Sequence, residues 1–156
     1  LKMEQVLLGS KRIEDYRPRN VIRAFNAQNI CIDGNGNIDG HGHVFWFLPT
    51  EEDLALRREE SDYSRSQYWY SKYLHNNSAA GNLIQIEACK NVVIQDQDIT
   101  LKGSESWTLH LLGCDEVLVS GIKIRNPMHG PNTDGIDLQA CTNIKISNYE
   151  SSLKRS

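Results

Sequence analysis

The sequence predicts an all-β fold, a parallel β-helix, from three observations. Four segments align in one register: VIRAFNAQNICIDG from Val21, LIQIEACKNVVIQD from Leu83, TLHLLGCDEVLVSG from Thr108 and GIDLQACTNIKISN from Gly135. Each carries two short alternating apolar runs separated by a small residue and a polar pair, and strict alternation is the signature of strands. The cysteines at one aligned position recur after 25 residues (89 to 114) and 27 residues (114 to 141). A period in the twenties with two strands per unit suits stacked β coils, and the leucine-rich consensus of the other common solenoid is absent.

Within the units, Ile22, Ile84, Leu109 and Ile136 share one column, and Ala24, Ile86, Leu111 and Leu138 the next. Ala27, Cys89, Cys114 and Cys141 form a small-residue column, followed by Asn29, Asn91, Glu116 and Asn143. Columns Ile30/Val92/Val117/Ile144 and Ile32/Ile94/Val119/Ile146 complete the second run. A column of cysteines inside a stack is a column of small buried residues, so these thiols are expected reduced and buried. No spacing suggests a zinc site.

The chain opens on LKMEQVLL, which reads as though it starts inside a strand, and no signal peptide is visible. After the first unit, DGNGNIDG (33–40) is a turn-rich connection. An EF-hand reading fails because Ile38 and Val44 stand where the calcium loop wants Gly and Glu. Units one and two are 62 residues apart (27 to 89), more than one coil needs. The excess, 48–81, has helical charge patterning behind a Thr50 N-cap and then an aromatic, Ser-rich run with Tyr68, Trp69, Tyr70 and Tyr73. It predicts a partly helical excursion whose aromatics either pack a loop or stack on sugars. Ile99 and Ile124 lie ten residues after their cysteines, but the equivalent position after Cys141 is Ser151. The stack is therefore expected to stop within that coil, leaving 149–156 as a divergent tail. A single partial β-helix domain, 1–156, incomplete at both ends, would expose strand edges and so offer a route to self-association.

Net charge is −3 and the pI about 5.9, which gives no nucleic-acid signal. No apolar run is long enough to span a membrane. Chemistry-bearing residues gather in HGPNTDGIDLQ, His129 to Gln139, between two strand patterns. Asp134 is either a turn acid capping its own backbone or an active-site acid. Asp137 follows the inward Ile136 and points outward, as a substrate contact or a solvated strand acid. Asn132 is a turn residue or a sugar ligand. His129, Lys123 and Arg125 either offset substrate carboxylates or sit on a solvated face. His110, between Leu109 and Leu111, is expected to face solvent.

The order IDGNGNIDGHGHVFW, SWTLHLLGCDEVLVSGIKIRNP, NTDGID resembles the polygalacturonase family of glycoside hydrolases, family 28, over nearly the whole chain outside the excursion and tail. The resemblance implies a right-handed, pectin-lyase-like parallel β-helix. It also implies inverting hydrolysis of galacturonic-acid linkages in pectin without a cofactor, and action outside the cytoplasm, secreted or periplasmic. It marks Asn132, Thr133 and Asp134 as the family's Asn-Thr-Asp motif, with Asp134 as a catalytic, water-activating base; beside it, the residue types and positions of Asn132, Asp137, His129 and Arg125 make them the candidate substrate contacts. The family's later Asp-Asp pair, Gly-His-Gly and Arg-x-Lys motifs have no match. The Gly40-His41-Gly42 triplet comes before Asn-Thr-Asp rather than after it, and Lys123-Ile124-Arg125 lies too early. After Asp137 the sole remaining acid is Glu150. The expected activity of these 156 residues is accordingly weak or nil, with a non-catalytic module binding acidic polysaccharide as the alternative. A calcium-dependent pectate lyase fits the NTDGID context less well.

Overall fold

In the computed structural model, residues 1–3, 5–46, 81–95, 98–127 and 132–154 are described. The chain makes fourteen described strands: β1 (Lys2–Met3), β2 (Val6–Leu8), β3 (Asn20–Phe25), β4 (Gln28–Gly34), β5 (Asn37–Asp39), β6 (Asn82–Glu87), β7 (Lys90–Gln95), β8 (Thr100–Lys102), β9 (Leu109–Leu112), β10 (Asp115–Ser120), β11 (Lys123–Pro127), β12 (Ile136–Gln139), β13 (Thr142–Ser147) and β14 (Glu150–Lys154). They sort into three parallel sheets. Sheet A runs β1-β4-β7-β10-β13, sheet B β14-β11-β8-β5-β2, and sheet C β12-β9-β6-β3. Each coil contributes one strand to each sheet, which makes a three-sided, right-handed parallel β-helix.

The register read from the repeats is the register of sheets C and A; in sheet B it is Leu101, not the expected Ile99, that pairs with Ile124. In sheet C, Ile22 pairs with Ile84, Ile84 with Leu109, and Leu109 with Ile136. In sheet A, Ile32 pairs with Ile94, Ile94 with Val119, and Val119 with Ile146. Sheet B adds the column Ile38, Leu101, Ile124 and Ser151. Inward residues from all three sheets meet in one apolar core in which Ile38, Ile84, Ile86, Ile94, Leu101, Leu109 and Leu111 are fully buried. Burying one such side chain is worth about 1.5–3 kcal/mol, so the stacked columns carry the fold.

Corners between sheets C and A are made by pairs of left-handed residues. Asn26, Ala88, Gly113 and Ala140 adopt φ of 49°, 51°, 62° and 51°. Asn29, Asn91, Glu116 and Asn143 adopt 60°, 54°, 56° and 53°. The second set is the polar column of the repeat. Asparagine tolerates this conformation, and the Asn91 amide donates to Asn29 Oδ1 at 2.7 Å, tying successive coils. The cysteine column lies beside it. Cys89 and Cys114 are buried, Cys141 is half-buried, and all four cysteines, including the exposed Cys31, are free thiols.

One expectation needs correction. The stack does not stop after β13, because β14 pairs with β11 from Lys123↔Glu150 to Pro127↔Lys154. The apolar pattern ends there, but a parallel ladder needs only matched backbone groups, and Arg125 Nη2 also binds Glu150 Oε1 at 2.7 Å. The DGNGNIDG connection is a turn with β5 inside it. Asp39 Oδ1 accepts the His41 amide at 3.0 Å, and Asp39 Oδ2 meets Lys102 at 3.3 Å. The aromatic pair packs inward near this corner. Phe45 stacks edge-on against Tyr16 at 5.8 Å, and Trp46 Nε1 donates to the Glu105 carbonyl. The partly helical excursion expected over 48–81, with its four aromatics, lies outside the described residues apart from Gly81.

Candidate active site

The outer face of sheet C collects the polar groups that the alternation sends outward. Paired residues across its four rungs form the column Arg23, Gln85, His110, Asp137. Asp134 sits at the entrance to β12, where its carbonyl accepts the Thr108 amide at 2.8 Å, so it continues the ladder one step before the strand begins. Its side chain is exposed, as is that of Asn132, which turns the chain with a left-handed φ of 48°.

A buried polar network fixes this segment from behind. Asn126 is 1% exposed. Its amide donates to Thr108 Oγ1 at 2.6 Å and to the Thr133 carbonyl at 3.2 Å, while its Oδ1 accepts the Ser104 amide at 3.3 Å. Ser104 in turn donates to the Ser106 and Trp107 carbonyls. Thus the Asn of IRNP holds the backbone from which Asp134 projects. Gly135 follows under Ile124, whose Cδ1 would lie 3.3 Å from an added Cβ.

His110 departs from expectation. It does point outward, but it is 5% exposed rather than solvent-facing, because neighbouring side chains cover it. Trp107 packs edge-on against its ring at 4.7 Å. Its Nδ1 lies 2.8 Å from Gln85 Oε1, which also accepts the Asn82 amide at 2.6 Å. One rung on, burial pushes the Asp137 carboxyl up from its ordinary range, and the charge of Asp134 adds to this while His110 opposes it. Asp134 and Asp137 thus bring two carboxyl groups near enough for one charge to act on the other.

Of the residues singled out from sequence, Asp134 lies near enough to Asp137 for its charge to act on that carboxyl, and Asn132 stands exposed two residues before Asp134. Arg125 does not. It lies on sheet B, opposite Lys102, and is engaged by Glu150. Lys123, on the same strand, pairs with Asp98 at 3.1 Å. His129 lies outside the described residues. Trp107, Asn82, Gln85 and the network residue Asn126 were not anticipated. The tryptophan and asparagine were visible in SWTLH and IRNP, but only the register shows what they touch. Among the described residues no cluster of three His, Cys, Asp or Glu is placed to hold a metal ion. A surface groove of about 510 Å³, lined by Asp33, Gln95, Lys123, Tyr149 and Glu150, lies between sheets A and B, off this face.

The model of the family described as "Glycosyl hydrolases family 28" matches residues 3–152. Similar proteins include a "Probable polygalacturonase" of Vitis vinifera, 31% identical over 83% of this chain and 22% of its own length. Polygalacturonase-2 of Solanum lycopersicum is 26% identical over 90% of this chain and 26% of its own. An exopolygalacturonase of Zea mays is 24% identical over 95% of this chain and 31% of its own. The chain thus spans between about a fifth and a third of the length of these curated relatives. A solved structure from Parabacteroides merdae, named for a glycosyl hydrolase, superposes with a TM-score of 0.56 at 20% identity, covering 96% of this chain and 72% of that one. With nearly every residue inside the matched range, the chain belongs to the glycosyl hydrolases of family 28.

Proposed function

We propose that this chain carries part of the active face of a galacturonan hydrolase, with Asp134 as a water-activating base. The observation that carries this reading is the Asn132-Thr133-Asp134 segment, pinned by Asn126 and Thr108 at the edge of the sheet-C face, with Asp137 beside it. In inverting hydrolysis a carboxylate takes a proton from water, the water oxygen attacks the anomeric carbon, and a separate acid protonates the departing glycosidic oxygen. The two carboxyl groups stand about 6.5–9.5 Å apart. Rungs about 4.8 Å apart let acids on neighbouring coils meet that separation. Asn132 and Asp137 are assigned to the substrate hydroxyls, and the substrate class is pectic galacturonan, in the extracellular setting usual for such polymers.

A second reading is a module that binds acidic polysaccharide without cleaving it. It draws on the sheet-C column Arg23, Gln85, His110 and Asp137, a run of hydrogen-bonding groups along one outer face. A reducing-end assay on polygalacturonate, run beside a binding measurement, tests both readings: binding without turnover favours the module. These 156 residues should release no reducing ends above the blank. Release that is lost in Asp134→Asn would show that the chain itself holds a complete acid–base set, and would reject the non-catalytic module.

A further inference from the structure

Most of the strand cations already face an acid. Arg23 meets Glu87 at 3.2 Å, Lys90 meets Asp115 at 3.2 Å, and Lys102, Lys123 and Arg125 are held by Asp39, Asp98 and Glu150. Arg17 and Arg19, in the connection from β2 to β3, are different. Both are exposed, and neither has a carboxylate within ion-pair distance among the described residues. Together with Ile13, Glu14, Tyr16 and Pro18 they line a groove of about 500 Å³. The acids of this connection do not neutralise them. Asp15 is bound by Arg12 at 2.6 Å and by the Ser10 hydroxyl, and Glu14 lies 3.8 Å from the same Arg12. Tyr16 Oη donates to the Ser10 carbonyl at 2.7 Å, so the ring is fixed as a wall. Arg19 favours the ionised form of Glu105 through space, without an ion pair between them. From Lys11 to Arg19 four cations stand against two acids, so the groove is positive.

The groove lies where the chain enters sheet C. Arg19 immediately precedes β3, whose Asn20 pairs with Asn82 on β6. Followed through β6 and β9, the same entrance on β12 is held by Asp134, whose carbonyl accepts the Thr108 amide. Three rungs of about 4.8 Å each put the two entrances about 14 Å apart along the stack. We infer that Arg17 and Arg19 form a carboxylate subsite for a galacturonan chain running along this edge of sheet C, several sugars away from Asp134. The occupant rests on the galacturonan reading above; the open positive groove does not. Every unesterified sugar of such a chain carries a carboxylate. A guanidinium offers that group paired N–H donors in a matching plane, while Ile13 and Pro18 give the C–H face of a sugar ring an apolar surface. Among the described strands of sheet C the cation is Arg23, and Glu87 occupies it. The groove therefore supplies the positive charge that a polyanion needs and the face around Asp134 lacks among the described residues.

The test follows the arginine Nε–H and backbone amide signals of the labelled chain by NMR during titration with hexagalacturonate and with its fully methyl-esterified form. The acid should shift the Nε–H signals of Arg17 and Arg19 and the Ile13 amide. The ester keeps the rings and loses the charge, so it should leave them in place. The double variant Arg17→Gln, Arg19→Gln should bind the acid about tenfold more weakly. Silent arginines beside shifting signals at Asn132 to Asp137 would overturn the subsite and leave the galacturonan reading intact. Equal shifts from the ester, or a double variant that binds as tightly as wild type, would also overturn it. Arginine shifts with none at Asn132 to Asp137 would sustain the subsite and count against the reading of the Asp134 face. Silence at both places rejects both. The comparison of acid with ester needs no variant, so it decides even if the double variant fails to fold.

Discussion

Glu105, in the turn between β8 and β9, is pushed up to about 7, chiefly by burial, against the opposing pull of the Gly81 amide and the Arg19 charge. Its unfolded counterpart ionises near 4.5. Below that pH both states are protonated. As pH rises from about 4.5 to 7 the unfolded chain releases the proton first, so the stability associated with this group is progressively lost and then levels off. Glu105→Gln should remove that slope and leave the protein about 1–2 kcal/mol more stable at pH 8 than wild type, after discounting for partial exposure. Denaturant midpoints at pH 4 and pH 8 measure it. Asp15 and Asp115, both held down to about 2 by hydrogen-bonded partners, act in the opposite sense, and their contribution fades only as pH falls below about 4. At this scale the sequence was readable in part. Asp134 and Asn132 stand in a recognisable motif, and alternation gives the outward direction of Asp137 and His110. Direction does not give cover, however. That His110 is sealed by Trp107 and Gln85 depends on which rungs stack, and that information lies between units 25 residues apart.

At the scale of elements, the corner columns were legible and their strain was not. The polar column was visible as Asn29, Asn91, Glu116 and Asn143, whereas the column ahead of it mixes Asn26, Ala88, Gly113 and Ala140 and shows no composition rule. All four adopt positive φ, where an alanine costs about 1–2 kcal/mol that glycine avoids. Ala140→Gly should therefore stabilise the fold by about 0.5–1 kcal/mol, part of the strain relief being offset by the entropy of a more flexible unfolded chain. A rise in the melting temperature of Ala140→Gly checks this; a fall would mean the corner is not strained. The strand β14 was missed because its inward position is Ser151 where the neighbouring rungs have Ile124 and Leu101, not the Ile99 that equal spacing from the cysteines suggested, and apolar periodicity is blind to a strand held by backbone pairing and one ion pair.

On the scale of the whole molecule, the repeat predicted nearly everything that stacks. The columns of the repeat are the paired residues of sheets C and A, because in a parallel solenoid equivalent residues meet equivalent residues, whereas in sheet B Ile124 pairs with Leu101 and not with Ile99. Leu111, 0% exposed in the middle of sheet C between Ile86 and Leu138, tests that core: Leu111→Ala should cost about 2–5 kcal/mol by chemical denaturation. The same register sets Arg23, Gln85, His110 and Asp137 in a line, and places the basic residues of β8 and β11 on another side. The sheet a residue falls on thus decides which charged groups can meet, which local sequence spacing cannot reveal. It is why Arg125, fifteen residues or fewer from both carboxylates in the chain, does not share their face. The central claim is that sheet C is the saccharide-facing side. Amide shift mapping with trigalacturonate tests it most directly. Perturbations are expected at Asn132 to Asp137, Trp107 and His110. Perturbations confined to Lys102, Lys123 and Arg125 on sheet B, or none at all, would contradict it.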